Sequence, residues 1–143
     1  MRPLGTIAAG MTPPADDTIV RQVDDLVASW HELREQHARA TTALERALED
    51  EHKLGVSEFE VLERLALAEE STCRMQALHD TVHLSQSALS RVVGRLESAG
   101  LVERKMCADD RRGIFAALTD TGRARYEDAR PTHRRVLGEV LGA

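Results

Sequence analysis

Between Leu84 and Arg104 the chain reads LSQSALSRVVGRLESAGLVER, and the residues able to do chemistry there fall on one side of a helix. Ser85, Gln86, Ser87, Ser90, Arg91, Gly94 and Arg95 supply short hydroxyls, one amide and two guanidiniums, with no acid before Glu97. Leu89, Val92, Val93 and Leu96 take the i, i+3, i+4, i+7 spacing of a buried stripe on the other side. A guanidinium can grip a phosphate or the O6/N7 edge of guanine, glutamine can pair with adenine, and a hydroxyl can bond to bases or backbone. Ser85 is placed to cap this helix, Gly100 ends it, and Leu101-Val102 starts a strand at once. A solvated face without function has the same composition, so the helix alone leaves two readings open.

The next residues favour one of them. Residues 101–107 and 114–118 read as two strands, joined by the polar turn Ala108-Asp109-Asp110-Arg111-Arg112-Gly113. An arginine-tipped ribbon beside a major-groove helix can enter the adjacent minor groove, where the negative potential favours a guanidinium. Arg111 or Arg112 is the candidate cation, and Asp109, two residues from Arg111 across the turn, can pair with it. On these residues the chain resembles the MarR family of winged helix-turn-helix regulators. The matching positions are Leu84-Ser85, Ser87, Leu89-Ser90-Arg91, Arg95-Leu96-Glu97, Gly100-Leu101-Val102, Arg104, Asp109 to Arg112, and Leu118-Thr119-Asp120-Thr121-Gly122. The likeness runs from about Ser57 to Gly122. It implies a homodimer joined through its terminal helices, a palindromic double-stranded DNA operator, most often repression, and a wing braced by the Asp-x-Arg element.

The elements that must position these residues read mainly as helix, with a small β-hairpin. Residues 1–15, closed by Pro13-Pro14, read as a flexible leader. Residues 16–56 form a first helix for dimerisation, residues 57–119 the winged unit, and residues 120–143 C-terminal dimerisation helices. Asp16 or Asp17 can cap the first helix, which runs to about His52 with Ile19, Val23, Leu26, Trp30, Leu33, His37, Ala40, Leu44 and Ala47 in a heptad-like seam. Leu54-Gly55-Val56 is expected to stop it, and Ser57-x-x-Glu60 to box the start of the next. A short helix over about 74–82 precedes the reading helix, and Pro131 is expected to kink or break the last one. The first and last segments carry more apolar stripe than a small reading head buries. Pairing two copies through them would set two reading helices about one DNA turn apart.

The net charge of −5 seems wrong for such a partner until it is divided. Residues 16–70 hold 15 acids against 6 bases, whereas residues 71–143 hold 9 acids against 12 bases. An acidic half that repels phosphate and a basic half that attracts it would orient the approach. No run of apolar residues is long enough for a membrane span, and two well-separated cysteines suggest a reducing, cytoplasmic setting. No glycine-rich phosphate loop, nucleophile–base pair or spaced carboxylate pair is found, so neither an enzyme nor a cofactor is expected.

Three sensing arrangements stay open. Trp30 and His37, one heptad apart, could line a pocket for a small aromatic or phenolic effector, or be two interior side chains. Effectors of the resembled family bind near the junction of dimer helices and reading head. Cys107, beside Arg104, Lys105, Arg111 and Arg112, is a redox candidate, because those cations favour thiolate. The family's peroxide sensors instead keep their cysteine near the amino terminus, where this chain has none. His79 and His83 have the i, i+4 spacing of a shared metal ligand pair, but no acid follows at ligand spacing, and no metal site is assigned. The alternatives are a redox- or metal-responsive regulator, or a protein-interaction module on the same scaffold without DNA binding.

Overall fold

The computed structural model describes residues 15–106 and 113–142. Residues 1–14 of the leader, Cys107, Asp109, Arg111 and Arg112 therefore lie outside the described residues, and Ala15 belongs to the first helix. The chain divides into two compact units between Ala38 and Arg39. Helix α1 (Ala15–His52) crosses that division, and its two parts differ in surroundings. Up to Ala38 its apolar side chains Ile19, Val23, Leu26, Trp30 and Leu33 are all at least half exposed. From Ala40 onward Leu44 and Leu48 are buried in the core of the second unit.

That unit is built from α2 (Val56–Leu67), strand β1 (Thr72–Arg74), α3 (Met75–Thr81), α4 (Gln86–Ser98), β2 (Val102–Met106), β3 (Ile114–Leu118) and α5 (Asp120–Leu141). The chain is thus mainly α with a small antiparallel sheet, as the sequence implies. The strand order is β1-β3-β2, with Val102 opposite Leu118, Met106 opposite Ile114, and Cys73 opposite Ala116. The expected hairpin is there, but β1 is an addition. Three residues are too few to show a period of two, and their partner lies far along the chain. Phe59, Leu62, Leu65, Leu78, Val93, Leu96 and Val102 are fully buried beneath the sheet and helices.

Three expectations about element ends need correction. Helix α1 runs to His52 as expected, but its stop is Lys53 and not Leu54-Gly55-Val56: Lys53 takes φ +56°, and the amides of Lys53 and Leu54 turn back to the carbonyls of Glu49 and Leu48. Gly55 instead starts α2, where its N–H donates to Glu58 Oε1 at 3.2 Å: glycine has no side chain to return the bond, so only the glutamate half of a box forms, two residues before the one expected at Ser57 and Glu60. And α5 is one helix through Pro131, not two. Proline removes the bond to the Glu127 carbonyl, but both residues are exposed and water can serve that oxygen. The next turn is anchored instead by the buried Thr132, His133 and Val136.

Candidate nucleic-acid interface

Helix α4 starts where Ser85 Oγ accepts the Ala88 N–H at 3.1 Å, with Ser87 Oγ 3.3 Å away. Its end is a Schellman turn. Gly100, at φ +77°, sends its N–H to the Glu97 carbonyl, and Leu101 N–H reaches the Leu96 carbonyl. Leu96 and Leu101 are both buried, which gives the closure its apolar contact. The stripe Leu89, Val92, Val93 and Leu96 faces the core as its spacing requires.

What remains outward is the polar side. Ser85, Gln86, Ser87, Ser90, Arg91 and Arg95 are all exposed. Among the described residues the guanidiniums of Arg91 and Arg95 have no ion pair or hydrogen bond, and a shallow groove runs between them along Gly94, Ser98 and Ala99. Two unpaired cations, in the middle and last turn of a helix whose first turn carries short hydroxyls and the partial positive charge of its N-terminus, make a surface suited to phosphate and base edges.

Arg104, which the sequence offers only as a cation beside Cys107, has a structural role as well. From β2 its Nη2 donates to the Ser90 carbonyl at 2.9 Å, and its own N–H donates to Glu97 Oε2 at 3.1 Å. Ser90 is therefore in part engaged inside the molecule. The signal was present, since Ser90, Gly94 and Glu97 recur at i, i+4, i+7, but it was pooled with the outer face.

The other candidates are placed as follows. Trp30 is 58% exposed with the Arg34 guanidinium 6.0 Å from its ring centre, and His37 is exposed further along the same helix. His79 is on α3 and half-buried, while His83 is exposed past the end of that helix. Cys73 lies on β1, where burial pushes its thiol up, the behaviour of a structural cysteine and not of a thiolate.

A second polar cluster ties α5 to its neighbours. Glu63 on α2 accepts Tyr126 Oη at 2.9 Å and Arg134 Nη2 at 2.7 Å. Burial pushes that carboxyl up, but the bonds from Arg134 and Tyr126 outweigh it and hold it below the usual carboxylate range. Glu51 on α1 accepts Thr132 Oγ1 and Arg135 Nη2, each at 2.8 Å, and these bonds lower it in turn. His133 stacks on Phe59 with ring centres 4.4 Å apart, and its Nδ1 accepts from Arg134 at 2.7 Å.

Comparison with known proteins agrees with this geometry. A family model described as MarR family matches residues 52–113. The HTH-type transcriptional regulator MhqR of Bacillus subtilis (strain 168) is 32% identical over 90 residues, which cover 63% of this chain and 61% of that protein. The chain thus spans about three fifths of that curated relative's length. Sco3205, a MarR family transcriptional regulator from Streptomyces coelicolor solved in complex with DNA, shares 27% identity at a TM-score of 0.74, over 92% of this chain and 77% of that one. AbsC, a MarR family transcriptional regulator from the same organism, shares 32% identity at a TM-score of 0.74, covering 80% of this chain and 76% of its own. Helix α4 closed by a Schellman turn onto a three-stranded sheet, matched at this identity over most of both chains, shows that this chain belongs to the MarR family.

Proposed function

We propose that the protein is a homodimeric, sequence-specific DNA-binding regulator, acting as a repressor in the cytoplasm on a palindromic operator. Helix α4 enters the major groove with Gln86, Ser87, Arg91 and Arg95, and the ribbon continuing β2 and β3 brings Arg111 or Arg112 to the minor groove, ordered by Asp109. The observation that carries this reading is the pair Arg91 and Arg95: exposed, unpaired among the described residues, and opposite a buried stripe that fixes their direction. The DNA complex of Sco3205 supports it by likeness. The second copy meets the first through the exposed apolar side of α1. A small aromatic or phenolic effector acts through Trp30 and His37 on the same helix. No helix among the described residues is long and apolar enough to cross a membrane.

The test is selection of bound duplexes from a random pool, followed by binding of the recovered palindrome across a salt series. Affinity should fall linearly on a log–log plot, because each neutralised phosphate releases counterions. Arg91→Ala and Arg95→Ala should each weaken binding by about 1–3 kcal/mol without changing the melting temperature. Parental affinity in both variants would remove α4 as the reader. A parent that retards no duplex at any salt would leave the protein-interaction module.

A further inference from the structure

Beside its outward strip, α4 carries a second side that belongs to β2. Ser90, Gly94 and Glu97 share it, and Arg104 reaches both of its ends. The guanidinium lies against Ser90, 2.9 Å from the carbonyl and 3.5 Å from Oγ, while the Arg104 N–H is held by Glu97 Oε2 at 3.1 Å. Gly94 stands between these points, and a Cβ there would be 3.9 Å from Arg104 Nη2. That is ordinary van der Waals contact, so the guanidinium lies along the helix here without crowding it. One hydrogen bond would leave β2 free to pivot about it. Two bonds from a single residue, to points two helical turns apart, fix its direction as well.

We infer that Arg104 and Glu97 are positioning residues for DNA recognition: they set the angle at which the wing leaves the reading helix. The inference rests on the DNA-binding reading proposed above. It gives Glu97 an effect opposite to that of its charge. A carboxylate beside a DNA-contacting face repels phosphate, so by charge alone its removal tightens binding. As the acceptor that holds β2, its removal frees the wing, and docking must then restrict that motion at the cost of affinity.

The sign of one substitution therefore decides. Glu97→Ala removes charge and acceptor, whereas Glu97→Gln removes the charge and keeps an acceptor oxygen. Operator affinity at fixed salt is measured together with hydrogen exchange at the Arg104 amide, which reports the brace without DNA. Glu97→Ala should bind about tenfold more weakly and exchange Arg104 N–H faster. Glu97→Gln should resemble the parent in exchange and bind no more weakly, and both should melt like the parent, since Glu97 is exposed. Faster exchange in Glu97→Ala with equal or tighter binding overturns the positioning role. Unchanged exchange overturns the brace itself. A parent with a protected Arg104 amide that binds no duplex refutes the DNA-binding reading, and the positioning role falls with it.

Discussion

Gly122 shows at the scale of one residue why a short motif reads as it does. A Cβ at this position would stand 2.0 Å from the Leu101 carbonyl oxygen, a backbone atom that cannot step aside. Three residues earlier, Thr119 Oγ1 accepts the Gly122 N–H at 2.9 Å and donates to the Gly100 carbonyl at 2.7 Å. Leu118-Thr119-x-x-Gly122 is thus the joint where α5 leaves the sheet and presses on the turn that ends α4. The sequence showed this motif only as a likeness, because the backbone atom that forbids a side chain belongs to Leu101, far upstream in the chain. Gly122→Ala should lower unfolding free energy by about 1–3 kcal/mol in denaturant titration, with the end of α4 disturbed through Gly100 and Leu101. An unchanged midpoint would show that α5 can move off the turn. The misplaced capping box teaches the converse. Gly55/Glu58 and Ser57/Glu60 share the i, i+3 spacing, and the departure of the chain from α1 at Lys53 selects the first, where glycine leaves only the Glu58 half of a box.

At the scale of the element, α5 works as a strut. The four residues after Pro131 grip two helices: Thr132 and Arg135 hold Glu51 of α1, while His133 and Arg134 hold Phe59 and Glu63 of α2. This is why the proline does not break the helix, and why proline chemistry read from sequence alone misjudged it. The strut has a pH dependence of definite sign. Burial and then the neighbouring Arg134 charge hold His133 below its ordinary value of 6.5, against a smaller pull from Glu63. The unfolded chain therefore takes up that proton first, and stability present above 6.5 declines as pH falls below it. Glu63 and Glu51, both lowered from 4.5, add a further loss only at lower pH. Melting temperature should thus drop between 6.5 and 4.5 in the parent and stay flatter in His133→Phe, which keeps the stack on Phe59. Equal slopes in the two proteins would assign the loss elsewhere.

For the whole molecule, the first part of α1 poses the question of what covers it. Ile19, Val20, Val23, Leu26, Val27, Trp30 and Leu33 are 47–67% exposed along one helix. The seam was legible as a heptad-like pattern, and so was the core of α4, because amphipathic periods are local. What the pattern could not divide was α1 itself, whose buried part begins only at Ala40. Leu26→Glu places a charge where the chain buries nothing of its own, since Leu26 is 67% exposed. Sedimentation should show the parent as a dimer and this variant as a monomer, with operator binding weakened as the half-sites uncouple. A variant that remains dimeric would put the interface elsewhere.

The place of β1 has a consequence for the order in which the molecule is made. Cys73 pairs with Ala116, so α3, α4 and β2 all lie inside a loop that closes only when β3 arrives. β3 is the middle strand and the last of the three to be synthesised. Helix α4 can form from its own cap and Schellman turn as it leaves the ribosome, since those contacts are local. Its packing against α2 and β2 does not need that pairing, whereas completion of the sheet must first overcome the entropy of closing that loop. Helix α4 thus has its partners on α2 and β2, while β3 is the strand on which both β1 and β2 depend for their pairing.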